Sequence, residues 1–329
     1  MVVPSASWRG MGSVSDRRGP DLRDEGGSGT GNCQFEDIPE ELNRWILHGP
    51  DKFKDDPVVF ASFAAQAVIA FYLGTILDRK SPFLDFPENS KERIPWQQTM
   101  RQVQIAQAIF MLRREPGFNE ICRRLATRGD LRSAAFEAFA AQLFRERGFT
   151  VLARPETGEL GQDFDFAVRV DDHEINVEAT ALTVTSFSAG TIISALGRKR
   201  GQLPADKPAA IVCFVPGAWR AGLGVTGDIA DSLIPIAEKF LRGTQRINHL
   251  IFCEDLMTPF PEQGGAGSFH IIGFRNHKVR FPCPRMDELV MSRLWNDKEV
   301  ADYMSQPSPG LTGSSELFQW IEWLKGRAA

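Results

Sequence analysis

The chain has 329 residues, 43% of them hydrophobic and 24% charged, with a formal net charge of -4 at pH 7. This is the composition of an ordinary globular protein with length for one large or two modest domains, and its charge gives no global signal for nucleic acid, although local patches can still bind it. The five cysteines (Cys33, Cys122, Cys213, Cys253, Cys283) are scattered and odd in number, which argues against a disulfide framework or zinc knuckle and for a reducing cytoplasm.

Residues 1–34 are rich in Gly, Ser and Arg, without the apolar run of a secretory signal, and read as a disordered leader. Residues 35–130 follow a helical pattern and are expected to form a bundle of about four helices. Pro39 sits early in the first, as a first-turn proline should. Val58–Leu77 is 20 residues without a charge, long enough to span a bilayer. Gln66 in mid-segment, the many alanines, the missing aromatic belt and the acids at Asp55, Asp56 and Asp78 favour a buried core helix instead. The protein is therefore expected in the cytoplasm and off the membrane. A proline-rich loop and the amphipathic helix WQQTMRQVQIAQAIFMLRR complete this part.

From Leu131 the pattern changes. LRSAAFEAFAAQLFRER is a helix closed by Gly148, and Phe149–Ala153 reads as a strand. Phe164, Phe166, Val168 and Val170 alternate with their neighbours, as do Ile175, Val177 and Ala179, with the polar DDHE between them. This is an antiparallel hairpin. SAGTIISALGRKRGQL is helical, Ala209–Val215 a buried strand, DIADSLIPIAEKFL a helix and NHLIFCED a strand. A hairpin is expected around His270–Phe281, then helices near Met286–Met304 and Ser315–Lys325. Residues 131–285 thus form an α/β domain, and 286–329 a C-terminal helical extension.

Acidic side chains are poor strand formers and costly to bury unpaired, yet Asp163, Asp165 and Glu178 sit on or beside the hairpin strands. Glu137 lies eleven residues before Gly148, and Glu178 thirteen residues after Asp165. A helix with a glutamate, a Gly-Phe turn into a first strand, an acid opening the second strand and a glutamate on the third resembles the PD-(D/E)XK nuclease superfamily. The resemblance covers about Leu131 to Val215. It implies a restriction-endonuclease-like mixed sheet flanked by helices, here preceded by the helical bundle.

It further implies Mg2+ or Mn2+ held by Asp165 and Glu178, with Glu137 assisting. Paired carboxylates suit such an ion, which prefers a few of them plus water. Phe164 and Phe166 would both point away, into the core. The family's third-strand lysine is Thr180 here. A hydroxyl can hold a water but carries no charge, so the resemblance requires a cation from another element. Lys199 is the candidate because Ile192, Leu196, Lys199 and Leu203 share one helical face; Arg198 and Arg200 flank it.

Arg113, Arg114, Arg123, Arg124, Arg128 and Arg132 precede the glutamate helix. Arg123 and Arg124, with Arg198 and Arg200, are the candidate nucleic-acid contacts. The bland alternatives are a solvated charged face for the arginines, core packing for the tryptophans, and pairing of Glu178 with an arginine such as Arg169. GLGVTG (Gly222–Gly227) matches a dinucleotide fingerprint, but PGAWRA separates it from the preceding strand, so it reads as a surface loop. The five histidines show no metal spacing. The expected activity is metal-dependent cleavage of nucleic acid, DNA in particular, with homodimerisation left open. The alternative is an inactive nuclease-like module that binds nucleic acid or a protein partner.

Overall fold

A computed structural model of the chain describes residues 35–49, 57–77, 83–84, 95–156, 158–159, 161–184, 186–219, 229–260, 264–284, 286 and 316–328. The expected leader, the Gly222–Gly227 motif and the expected helix after Met286 lie outside the described residues. Four helices come first: α1 (Glu40–Leu47), α2 (Pro57–Leu73), α3 (Pro95–Leu112) and α4 (Phe118–Thr127). Then follow α5 (Leu131–Glu146), β1 (Thr150–Ala153), β2 (Phe166–Val170), β3 (His173–Ala181), α6 (Ala189–Gln202), β4 (Ala209–Pro216), α7 (Ala230–Arg242), β5 (Ile247–Phe260), β6 (Gly264–Arg275) and α8 (Glu316–Ala328).

The six strands form one mixed sheet in sequence order. β1–β2–β3 are antiparallel, β3–β4–β5 parallel, and β5–β6 antiparallel again. The two parallel steps need crossover connections, which α6 and α7 supply. Because the strand order advances the same way twice, the right-handed crossover rule sends both helices to one face. Ile192 and Leu196 of α6 and Leu233 and Ile236 of α7 accordingly share a buried core with Ile211, Cys213 and Phe252. The protein is thus α/β, a mixed sheet flanked by helices.

The opposite face carries the other helices. Phe136 of α5 stacks on Phe214 of β4, ring centroids 4.3 Å apart. The same core runs without a break through Ile105 and Ile109 of α3, Ala64 and Val68 of α2, and Leu317 and Ile321 of α8. This explains why α2 is apolar all round: it meets α1, α3, α4 and α8. Among the described residues, no helix is long and apolar enough to cross a membrane. Cys122, Cys213, Cys253 and Cys283 are buried and free of disulfides.

A buried charge pair also crosses this core. Arg101 of α3, 1% exposed, pairs with Asp255 of β5 and donates to Gln104 at 3.0 Å. A buried charge pair of this kind is costly to break because it strands its partner.

The late hairpin differs from expectation. β5 and β6 form it, and β6 ends at Arg275. Asn276 stops the strand by folding back on β5: its backbone N–H donates to Asn248 O at 2.9 Å, and its side-chain amide donates to Thr244 O and Ile247 O. Side-chain capture of backbone carbonyls competes with strand pairing.

α8 is anchored by Trp320, fully buried, stacked on Phe110 with centroids 4.9 Å apart and donating to Asn43 Oδ1 at 3.1 Å. Trp320→Ala is expected to cost about 3–5 kcal/mol, read as a lower urea midpoint, and to expose α8 to protease under native conditions.

Candidate active site

β2 begins at Phe166, paired with Val177, whereas β3 runs on to Ala181. Residues Glu178–Ala181 therefore pair with β4 but extend past the start of β2. Asp165 stands one residue before β2, across from Glu178. Its Oδ2 accepts from the Ala179 N–H at 2.7 Å. A cleft of about 370 Å³ opens at this step in the sheet, lined in part by Arg128, Phe136, Glu137, Asp165, Thr180 and Lys199.

Each acid has its own support. Glu137 projects from α5, which Asp130 caps by accepting from the backbone N–H groups of Arg132 and Ser133. Its carboxylate pairs with Arg124 at 3.1 Å and with Arg128. Arg124 also donates to Asp165 O at 2.9 Å, to Arg154 O and, through Nε, to Glu120 Oε1 at 3.0 Å. Glu178, 1% exposed, pairs with Lys199 of α6 through Oε1, while its Oε2 is buried without a hydrogen-bond partner. The pairing follows from the common face: Glu178 lies on the side of β3 where Ile192 and Leu196 pack α6, and Lys199 continues that helical face.

Burial governs the proton affinities. Desolvation pushes the Glu178 carboxyl up to about 7; Lys199 and the Asp165 amide pull the other way without prevailing. Asp165 is raised well above the usual carboxylate range, first by desolvation and then by the charges of Glu178 and Glu137. For Lys199 burial favours the neutral form, but Glu178 and Asp165 outweigh it and hold the ammonium charged. One ammonium shared by these acids does not offset their desolvation.

Among the described residues, no group of three or more His, Cys, Asp or Glu is arranged to hold a metal ion. Magnesium does not need one, since it binds through one or two carboxylates plus water. Asp165 and Glu178 fit that demand chemically. They are hard oxygen donors that repel each other, and Glu178 carries an orphaned buried oxygen.

The structure thus brings together Glu137, Asp165, Glu178, Thr180, Lys199 and Arg124. Arg124 is not a surface contact: it is 4% exposed and committed to the protein's own acceptors. Arg123 is exposed and paired with Glu120. Arg198 is exposed on α6, but Arg200 turns to α7, donating to Gly243 O at 3.1 Å beside the Phe240 ring. Arg113 and Arg114 bind Asp37 and Glu316, away from the cleft. Arg169 pairs with Glu174 rather than Glu178. Phe164 does not join Phe166 in the bundle-side core; it packs on the α6 side, because the chain is not yet a strand at residue 164.

The sequence reading missed Glu156 as a member of the cleft and did not single out Arg128 from the group of arginines it offered there. The available signal was the i,i+4 spacing of Arg124 and Arg128, which puts both on one face of α4 next to the glutamate helix.

No protein-family model and no curated protein matches the chain. Among solved structures, SfsA of Pyrococcus furiosus in complex with Ca2+ is similar at 16% identity, with a TM-score of 0.19, over 45% of this chain and 63% of that one. The chain thus spans less than two thirds of that protein, and a likeness at this TM-score carries no argument about fold or function.

The raised carboxyl groups make a pH prediction. A group whose folded pKa is raised contributes stability that is full below its unfolded pKa and lost as pH rises through the folded value. Without divalent cations the protein is therefore expected to lose stability between about pH 4.5 and pH 7 on account of Glu178. The loss is on the order of a few kcal/mol. Glu178→Gln removes the ionisation and should flatten that part of the profile, as read by denaturant titration at each pH.

Proposed function

We propose that the protein is a metal-dependent nuclease with a PD-(D/E)XK-like core, hydrolysing phosphodiester bonds in DNA. The observation that carries this reading is the meeting of Asp165, Glu178 and Lys199 at one step in the sheet, from the lead into β2, from β3 and from the helix after β3. These are the residue types and order of elements that the sequence resemblance implies, with the cation delivered by α6.

Asp165 and Glu178 would hold Mg2+ or Mn2+, which when bound stabilises phosphate charge and lowers the pKa of water. Glu137, fixed by Arg124 and Arg128, faces the same cleft and can accept a hydrogen bond from a water there. The Thr180 hydroxyl lines the cleft and can orient that water. The Lys199 ammonium supplies a fixed positive charge where charge grows on the phosphate oxygens. Exposed Arg198 on α6 and Arg123 on α4 would contact flanking phosphates.

A second reading, a module that binds nucleic acid without cutting it, is favoured by one observation: Glu137 and one oxygen of Glu178 are already ion-paired with the protein's own cations.

Cleavage assays separate the two readings. Purified protein is expected to cut DNA with Mg2+ or Mn2+, and Asp165→Asn or Glu178→Gln to abolish cutting while the fold is kept. Both variants should also lose Mn2+ binding in calorimetry, a readout independent of turnover. Salt-sensitive DNA binding with no cleavage under any metal would establish the second reading.

Lys199→Ala is expected to slow single-turnover cleavage by on the order of a hundredfold. Thr180→Lys, which adds a second ammonium beside one already in place, should leave the rate unchanged or lower. A wild-type rate insensitive to Lys199→Ala would remove Lys199 from the mechanism.

A further inference from the structure

Among the described residues, Arg124, Arg128 and Lys199 pair with Glu137, Glu156 and Glu178, and they differ in how they are held. Arg124 is buried and spends its donors on Glu120, Glu137, Asp165 O and Arg154 O. Lys199 is committed to the buried Glu178. Arg128, at the C-cap of α4, is 27% exposed and divided: one terminal nitrogen binds Glu137, the other Glu156. Glu137 is 11% exposed on a helix, whereas Glu156 is 51% exposed and lies in the connection between β1 and β2. Glu137 thus fixes the orientation of the guanidinium, and Glu156 occupies its outward-facing nitrogen within the cleft.

We propose that this outward face of Arg128 is a phosphate-binding position and that the Glu156 carboxylate is an internal stand-in which a nucleic-acid phosphate displaces. A guanidinium binds carboxylate and phosphate oxygens with the same forked geometry. An exposed ion pair is weak, so exchange of one oxyanion for the other costs little. Glu156 then acts as a competitive occupant that lowers the affinity of any chain whose phosphate must displace it. This inference rests on the nuclease reading only in taking nucleic acid as the ligand; it requires binding, not cleavage.

The test is equilibrium binding of a fluorescein-labelled single-stranded DNA oligonucleotide, by anisotropy in EDTA across a salt series. Glu156→Ala should tighten binding by about two- to fivefold, the range of an exposed ion pair. Arg128→Gln should weaken binding and reduce the salt slope by about one. In the Arg128→Gln background, Glu156→Ala should give no gain, because the position it vacates no longer binds phosphate. Thermal melts of all four proteins confirm the fold. An equal gain in both backgrounds would show a general effect of removing one negative charge and would overturn the proposal. Binding that is unaffected by Glu156→Ala would overturn it while leaving the nuclease reading intact. If no variant binds the oligonucleotide, the proposal falls, and the nuclease reading is decided separately by the cleavage assay with Mg2+ or Mn2+.

Discussion

The geometry around the cleft depends on one buried guanidinium. Arg124 takes its acceptors from four segments: Glu120 within α4, Glu137 on α5, the carbonyl of Arg154 just past β1, and the carbonyl of Asp165 at the entry to β2. Its charge has been removed from water, so each acceptor is needed to offset the desolvation. Moving any one segment leaves a charged donor unsatisfied, and that penalty locks the four together. A backbone contact reinforces the arrangement at the other end of α4. The Ala153 N–H donates to Pro116 O at 3.2 Å, and Gly117 follows at φ 80° with Ala153 O so close that a Cβ would lie 2.3 Å from it. Glycine alone fits that position without strain.

With the frame fixed in this way, the electrostatics of the site follow from unequal burial. Glu137 is served by two arginines, while Glu178 and Asp165 have Lys199, the Ala179 and Asp165 amides and, for Asp165, Arg124 at the longer distance of 4.0 Å. Glu178, the best buried of the three, keeps one carboxylate oxygen without a hydrogen-bond partner. That imbalance is unfavourable for stability and is what a cation-binding site requires, since a divalent ion restores the missing positive charge.

The order of elements could be read from the sequence because helical and alternating periodicities change sharply at Leu131 and again at each crossover. Glu137, Asp165 and Glu178 could be read because their spacing and order of elements resemble a nuclease pattern, and Lys199 because it shares a helical face with Leu196. What could not be read was the choice of partner by long side chains. Arg123 and Arg124 are adjacent, yet a rotation of about 100° per helical residue sends one to solvent and the other into the interior. Arg198 and Arg200 part in the same way. Phe164 was misplaced because alternation was extended one step beyond the strand's true start, where the chain still bends toward Asp165. The β5–β6 hairpin was missed because the stop at Asn276 is made by its side chain, which periodicity does not register.

Thr180 is the point at which sequence pattern and structure must be reconciled. Residues 178 and 180 of β3 share a face, and that face lies under α6. A lysine at 180 would compete with Lys199 for the same carboxylates, two ammonium groups being drawn to one buried glutamate. With Lys199 descending from the helix, position 180 is best filled by a short, neutral, hydrogen-bonding side chain that leaves the cleft open. Threonine meets each of those conditions and, being β-branched, also suits the strand. On the proposed nuclease reading, the threonine on β3 is therefore coupled to the lysine on α6, and neither residue is assigned a role without the other.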